Sequence, residues 1–155
     1  MMINPQINGY LVDVQTHERL EFQYSPSEIG DDKSAHYADI KIPGISHPKY
    51  QFVSGGARQI TFTVSFFKGE VKQQVAWLQS LLYPEHSGTT LKSPPHRVIF
   101  ILGELYPGVT CIVRNVKARY FNLFDQNSLS PQQAEVDIVL EEWVDKSINY
   151  GDVRG

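Results

Sequence analysis

Across residues 94–143 the chain alternates runs of strand-forming residues with turn chemistry, and this stretch constrains the fold more than any other. Val98-Ile99-Phe100-Ile101-Leu102 is an unbroken apolar run that stops at Gly103. The chain resumes after Pro107-Gly108 over residues 109–124, breaks at Asp125-Gln126-Asn127-Ser128, and returns over residues 134–144 with alternating character. Runs rich in β-branched and aromatic residues, bounded by Gly, Pro, Asn and Asp, are strands joined by turns. Such a chain makes sheet, and a sheet whose edges continue across neighbours is a way of building assemblies.

The N-terminal half follows the same pattern. Residues 10–14 and 20–24 read as short strands, the second with Leu20, Phe22 and Tyr24 on one side and Glu21 and Gln23 on the other. Residues 58–67 form the cleanest strand, with Ile60, Phe62, Val64 and Phe66 facing a core and Thr61, Thr63 and Ser65 facing away. Residues 70–82 carry Val71, Val75, Leu78 and Leu82 at helical spacing, widened by Trp77 and Leu81 and ended by Pro84. Val98 to Leu102, apolar on both faces, is expected at a central position covered on each side, by the helix and by a neighbour. Asn115, Lys117 and Arg119 line one face of the long strand that follows, and Glu135, Asp137 and Glu141 oppose Val136, Ile138 and Leu140. Six to eight strands with one packed helix make a β-rich α+β fold, a barrel or sandwich.

Residues 26–56 differ in character. Ile29-Gly30-Asp31-Asp32 is turn chemistry, Ala38-Asp39-Ile40-Lys41-Ile42 alternates, Pro43-Gly44 favours a tight turn, and Ser54-Gly55-Gly56 permits positive φ. The segment reads as an extended hairpin or arm. About thirty residues of turn-rich chain exceed an ordinary connection, which assigns the arm to contacts with neighbouring subunits. Ile29, Tyr37, Ile40, Ile42, Ile45, His47 and Tyr50 are its candidate contact residues, joined by the acidic row Glu135, Asp137 and Glu141, which reads as one solvated or interface-facing edge.

A length of 155 residues with 41% hydrophobic and 20% charged residues fits one packed domain, spanning 1–155 with a flexible tail at 146–155. The single Cys111 lies in an apolar strand pattern, as a small buried side chain in a protein made in a reducing cytosol. The N-terminus has no basic, apolar leader, and no run approaches the roughly 18 apolar residues of a membrane span. Net charge is −3 and the 14 Lys and Arg are scattered, which leaves no electrostatic footprint for gripping nucleic acid.

No catalytic constellation is readable. The histidines at 17, 36, 47, 86 and 96 share no metal-ligand spacing and read as surface or turn residues, so neither a metal nor any other cofactor is expected. Glu141 and Glu142 are strand neighbours that point to opposite faces, which argues against a paired acid–base site. Ser54-Gly55-Gly56 lacks the lysine and helix of a phosphate cradle and reads as a turn leading into a strand. No Gly-x-Ser-x-Gly elbow occurs. Phe22, Tyr24, Tyr50, Phe52, Tyr120, Phe121 and Phe124 have no basic groove beside them and are assigned to core and subunit contact rather than to base stacking.

An ordered set of elements over about residues 20–145 resembles the tube-like domain of contractile injection systems, found in phage baseplates, R-type bacteriocins and related particles. Phe22-Gln23-Tyr24-Ser25-Pro26 is similar to the family's early aromatic strand end, with Ser25 where Asn is usual. Tyr50-Gln51-Phe52 with Gly55-Gly56, then Ile60-Thr61-Phe62 and Phe66-Phe67, resembles its paired-glycine and aromatic-strand element. Pro94-Pro95-His96 leading through Val98-Ile99-Phe100 to Gly103 resembles the approach to its central strand. Tyr120, Leu123, Phe124 and Asp125 resemble its Leu-Phe-Asp turn, and Ser130-Pro131 with Ala134, Val136 and Ile138 its last strand, although Gln132-Gln133 replaces a more basic pair.

The resemblance implies a non-enzymatic baseplate subunit, a tube initiator or ripcord-type connector, in a hexameric ring between tail tube and spike hub. It implies the tail tube protein, the spike hub protein and further copies of the chain as partners. A LysM baseplate protein on a separate chain and the tape-measure protein would be further neighbours. DNA would be passing cargo, for which an acidic balance is suitable, and no membrane binding is expected. The location implied is the virion tail baseplate, with the host cytoplasm during assembly. Two other classes remain open on the residues alone: a small-ligand or carbohydrate-binding β-barrel, and an enzyme with a dispersed site such as a peptidoglycan hydrolase.

Overall fold

The computed structural model describes residues 9–23, 26–67, 70–121 and 131–144. In chain order the elements are β1 (Tyr10–Asp13), β2 (Arg19–Glu21), β3 (Ile29–Ile40), β4 (Lys49–Phe66), α1 (Val71–Ser80), β5 (Glu85–Ser87), β6 (Thr90–Ser93), β7 (Val98–Leu102), β8 (Tyr106–Tyr120) and β9 (Ala134–Glu142). Seven strands form one antiparallel sheet in the order β2-β1-β7-β8-β9-β4-β3, and β5 and β6 form a separate hairpin. The β-rich α+β fold expected from the sequence is present. The sheet is open rather than a closed barrel, since β2 and β3 are not hydrogen-bonded to each other.

Alternation places the core. Ile60, Phe62, Val64 and Phe66 of β4 and Ala134, Val136, Ile138 and Leu140 of β9 are buried, and their intervening neighbours are exposed or half-buried. The two strands pair in register over Gln59 to Phe66, so both apolar rows lie on one face. The sheet curls around that face. Phe22, just past β2, touches Phe62 of β4 at 5.6 Å between ring centroids, and Phe62 stacks on Phe100 of β7 at 4.9 Å and 7°. Val71, Val75, Leu78 and Leu81 from α1 and its last turn join the same cluster.

Several expectations need correction. The Ile29 to Asp32 segment is strand rather than turn, and it opens β3. β4 begins at Lys49, nine residues before the expected start, so Ser54-Gly55-Gly56 lies inside a strand. Neither Gly55 nor Gly56 has positive φ. Gly56 is needed for close approach instead, because a Cβ there would lie 2.9 Å from the Ser34 carbonyl oxygen and closer still to its hydroxyl. Val98 and Phe100 are buried and Ile99, Ile101 and Leu102 half-buried, so the described residues leave the second face of β7 only partly covered, the side for which a neighbour is expected. The Asp125 to Ser128 break, Tyr24-Ser25, Leu123-Phe124 and the tail from 145 onward lie outside the described residues.

Candidate functional site

Pro43 and Gly44 make the tip from which the rest of the arm follows. The Ile45 amide donates to the Ile42 carbonyl at 3.2 Å, and Gly44 has φ +88°, the third position of a type II turn in which Pro43 presets the second. From that turn β3 and β4 run back as an antiparallel ribbon, paired from Ile40↔Lys49 to Ile29↔Phe62. β9 pairs with β4 only from Gln59 onward, so residues 49–58 and their β3 partners project as a two-stranded hairpin whose edges no other described strand pairs. Register shifts between Lys33 and Ala35 and between His36 and Tyr37 mark two bulges, each with the extra residue on β4. Bulges of this kind bend the strand and increase its twist.

Pairing decides what each face of the ribbon carries. Tyr37 is opposite Phe52 and Asp39 opposite Tyr50, so the three aromatics share a face that continues the concave side of the sheet. Tyr37 and Phe52 meet edge to face at 5.6 Å. All three remain open to solvent, at 59%, 58% and 66% for Tyr37, Phe52 and Tyr50. Ile40 lies on the opposite face, Ile42 and Ile45 flank the tip turn, and His47 is exposed beside it. Of the arm candidates only Ile29 packs against the core, at the ribbon's root. Phe52, which the sequence assigns with the other aromatics to core or subunit contact, and Val53, which it does not mark, complete the exposed apolar surface.

The root of the arm is anchored by a polar cluster that closes one end of the core. Arg58 of β4 donates through Nε and Nη2 to the two carboxylate oxygens of Asp31 on β3, at 3.0 and 2.7 Å, and through Nη1 to Glu142 of β9 at 3.0 Å. The buried Tyr106 donates its hydroxyl to Asp31 at 2.9 Å, and the guanidinium lies over its ring. The Arg58 hydrogen bonds, outweighing partial burial, hold the Asp31 carboxyl below the usual range. Burial first, and then the Asp31 hydrogen bond, push the Tyr106 hydroxyl up to about 12. Next to this cluster the buried Cys111 thiol is pushed up to about 12 by burial and by the Glu142 charge. A thiol so poised is inert at neutral pH.

The acidic row faces outward on β9 and is paired within the chain. Asp137 accepts from the Thr63 hydroxyl at 2.7 Å and lies 3.5 Å from Arg119; Glu135 lies 3.1 Å from Arg119, and Glu141 accepts from Gln59 at 3.4 Å. Glu141 and Glu142 point to opposite faces, as the strand geometry predicts. The two groups of candidates therefore occupy different places, one on the arm and one on the convex face of the sheet.

Four histidines are exposed as expected, but His96 is not. Its Nδ1 lies 2.7 Å from Asp13 Oδ2, and Asp13 Oδ1 accepts from the Gln15 and Thr16 amides. Burial works to raise the Asp13 carboxyl, but the hydrogen bonds from His96, Gln15 and Thr16 together hold it below its ordinary value. Nothing in the spacing marked this pair, which is 83 residues apart. Among the described residues no group of three or more His, Cys, Asp and Glu is placed to hold a metal ion, and no helix is long and apolar enough to cross a membrane.

No protein-family model matches the sequence, and no curated protein does. Among solved structures the chain is similar to the cryo-EM structure of the anti-feeding prophage cap, a tube-terminating cap. The similarity covers 90% of this chain and 88% of that one, at 13% identity and a TM-score of 0.35. A likeness at that level carries no weight for function.

Proposed function

We propose that this chain is a non-enzymatic structural subunit of a contractile tail or related injection particle, forming a hexameric ring that joins the tail tube to the spike hub. The observation that carries this reading is the projecting hairpin, which offers an exposed aromatic face and ribbon edges unpaired among the described residues, from a root fixed by Arg58. Two-stranded ribbons are marginal alone, and exposed strand edges are templates for pairing with another chain. A head-to-tail contact that closes by rotation makes a ring. The ordered sequence resemblance supplies the class of particle, with the tube and hub proteins as neighbours and DNA as passing cargo.

The ligand-binding β-barrel has less support. Phe22, Phe62, Phe100 and Tyr106 fill the concave side of the sheet with ring contacts of 4.9 to 6.4 Å, which is core packing rather than a vestibule. A density map of the assembled particle tests the proposal. Six copies around the channel between tube and trimeric hub, with each arm against a neighbouring subunit, is the expected result. An outer-baseplate monomer, or a copy with substrate in a closed pocket, overturns it.

A further inference from the structure

The β5–β6 hairpin stands apart from the main sheet, and all of residues 85–93 except Ser93 are exposed. Its charged contact with the body is Glu85, whose Oε1 lies 3.2 Å from His96 Nε2. His96 is therefore set between two carboxylates on separate elements, Asp13 at the end of β1 and Glu85 in β5, and these are the charged groups that act on it. The two sides are unequal. Asp13 is buried, fixed by two backbone amides and hydrogen-bonded to Nδ1. Glu85 is half-exposed, and its 3.2 Å approach is the weaker side, with no well-formed hydrogen bond to the buried Nε2 among the described residues. Ser93 Oγ, on the residue paired with Glu85 at the same end of the hairpin, is also buried without a partner among the described residues.

We propose that His96 is a pH-operated latch for this hairpin, holding Glu85 against the body when the imidazole carries two protons and letting it go when Nε2 loses its proton to water. A neutral imidazole has a single N–H, and Asp13 can only accept, so that proton stays on Nδ1. Nε2 then turns a lone pair towards a carboxylate oxygen at 3.2 Å, two acceptors with no proton between them. Protonation restores a donor on that side and an attraction between unlike charges. The Asp13 hydrogen bond, outweighing burial and helped by the Glu85 charge, raises His96 above its ordinary value of 6.5. For a group raised on folding, the stabilising contact is complete below the ordinary value and is lost as pH rises through the folded one. Release therefore falls above pH 6.5, on the neutral to alkaline side.

The experiment is nuclear magnetic resonance on the full ¹⁵N-labelled chain, following the His96 ring nitrogens and the heteronuclear NOEs of Thr90 and Leu91 from about pH 5 to about pH 9. The expected result is a fall in the hairpin NOEs with the same midpoint as the His96 Nε2 titration. Glu85→Gln is expected to make those NOEs independent of pH while the His96 ring still titrates. His96→Gln is expected to give a mobile hairpin at every pH. Hairpin NOEs that stay flat in the parent chain, a midpoint unrelated to His96, or unaltered pH-dependent release in Glu85→Gln would each overturn the latch.

Discussion

Arg58 grips Asp31 diagonally across the β3–β4 pair, through two near-parallel hydrogen bonds of 3.0 and 2.7 Å, at the level where β9 ends and the arm begins. A planar guanidinium matches a carboxylate in this way and an ammonium does not. The third donor reaches Glu142, so one side chain ties β3, β4 and β9 together at the root.

Replacing Arg58 with Ala leaves Asp31 and Glu142 facing each other without a cation, and the expected cost is about 1–2 kcal/mol after allowance for solvent screening. Arg58→Lys restores only part of it. The Asp31 carboxyl is lowered on folding, so its contribution is present above the ordinary 3.8 and is lost as pH falls through the lowered value. Urea unfolding at neutral and acid pH checks both points: the parent loses stability on acidification, and Arg58→Ala loses less.

Phe62 is the hub of the aromatic core, in contact with Phe22 and stacked on Phe100. Phe62→Ala is expected to cost about 3–5 kcal/mol, as for other fully buried phenylalanines. A thermal midpoint equal to the parent's would show that this face is not the core.

Adjacent glycines in β4 give a paired test of the bulge. Gly56→Ala drives a Cβ into the Ser34 backbone and is expected to cost about 1–3 kcal/mol. Gly55→Ala meets only the Lys33 ammonium at 3.3 Å, the far end of a flexible, exposed side chain that donates to the Gly56 carbonyl, and is expected to stay within about 0.5 kcal/mol. Equal unfolding midpoints for the two variants would contradict the close approach.

The arm aromatics are expected to behave in the opposite sense from the core. Tyr50→Ser with Phe52→Ser changes stability by no more than about 1 kcal/mol, because both side chains are solvent-facing. Incorporation into particles, counted by quantitative mass spectrometry, should nevertheless be lost. Normal incorporation of the double variant would remove the aromatic face from the assembly contacts.

Cys111 supplies a reporter of global opening. With its thiol buried and raised to about 12, it is expected to resist a thiol reagent at neutral pH and to react at the rate of unfolding. Immediate labelling of the native protein would place it at the surface.

What the sequence made legible were elements whose burial follows a single period. Ile60 to Phe66 and Val136 to Leu140 alternate without interruption, and Val71, Val75 and Leu78 recur at helical spacing. β8 resisted the same treatment because Arg114 is an extra residue in its pairing with β9: Cys111 and Val113 face inward before it, and Val116 and Ala118 after it. The outer half of β4 gave no signal, since neither of its faces is buried and two glycines interrupt it. Arg58 with Glu142, and His96 with Asp13, are 84 and 83 residues apart. Such pairs are created by the topology, and no local spacing announces them.

β4 is a single strand of 18 residues with two bulges in its outer part, the inner part in the core and the outer part in the arm. At about 3.4 Å per residue the outer ten residues form a lever of about 34 Å. A pull on the Pro43-Gly44 tip along that lever would load the Gln59 to Phe66 ladder with β9 in shear, so that many backbone hydrogen bonds share the force at once. Peeling, by contrast, would meet them one at a time, and Arg58 sits where peeling would start. The hairpin is thus built to bear tension along its length.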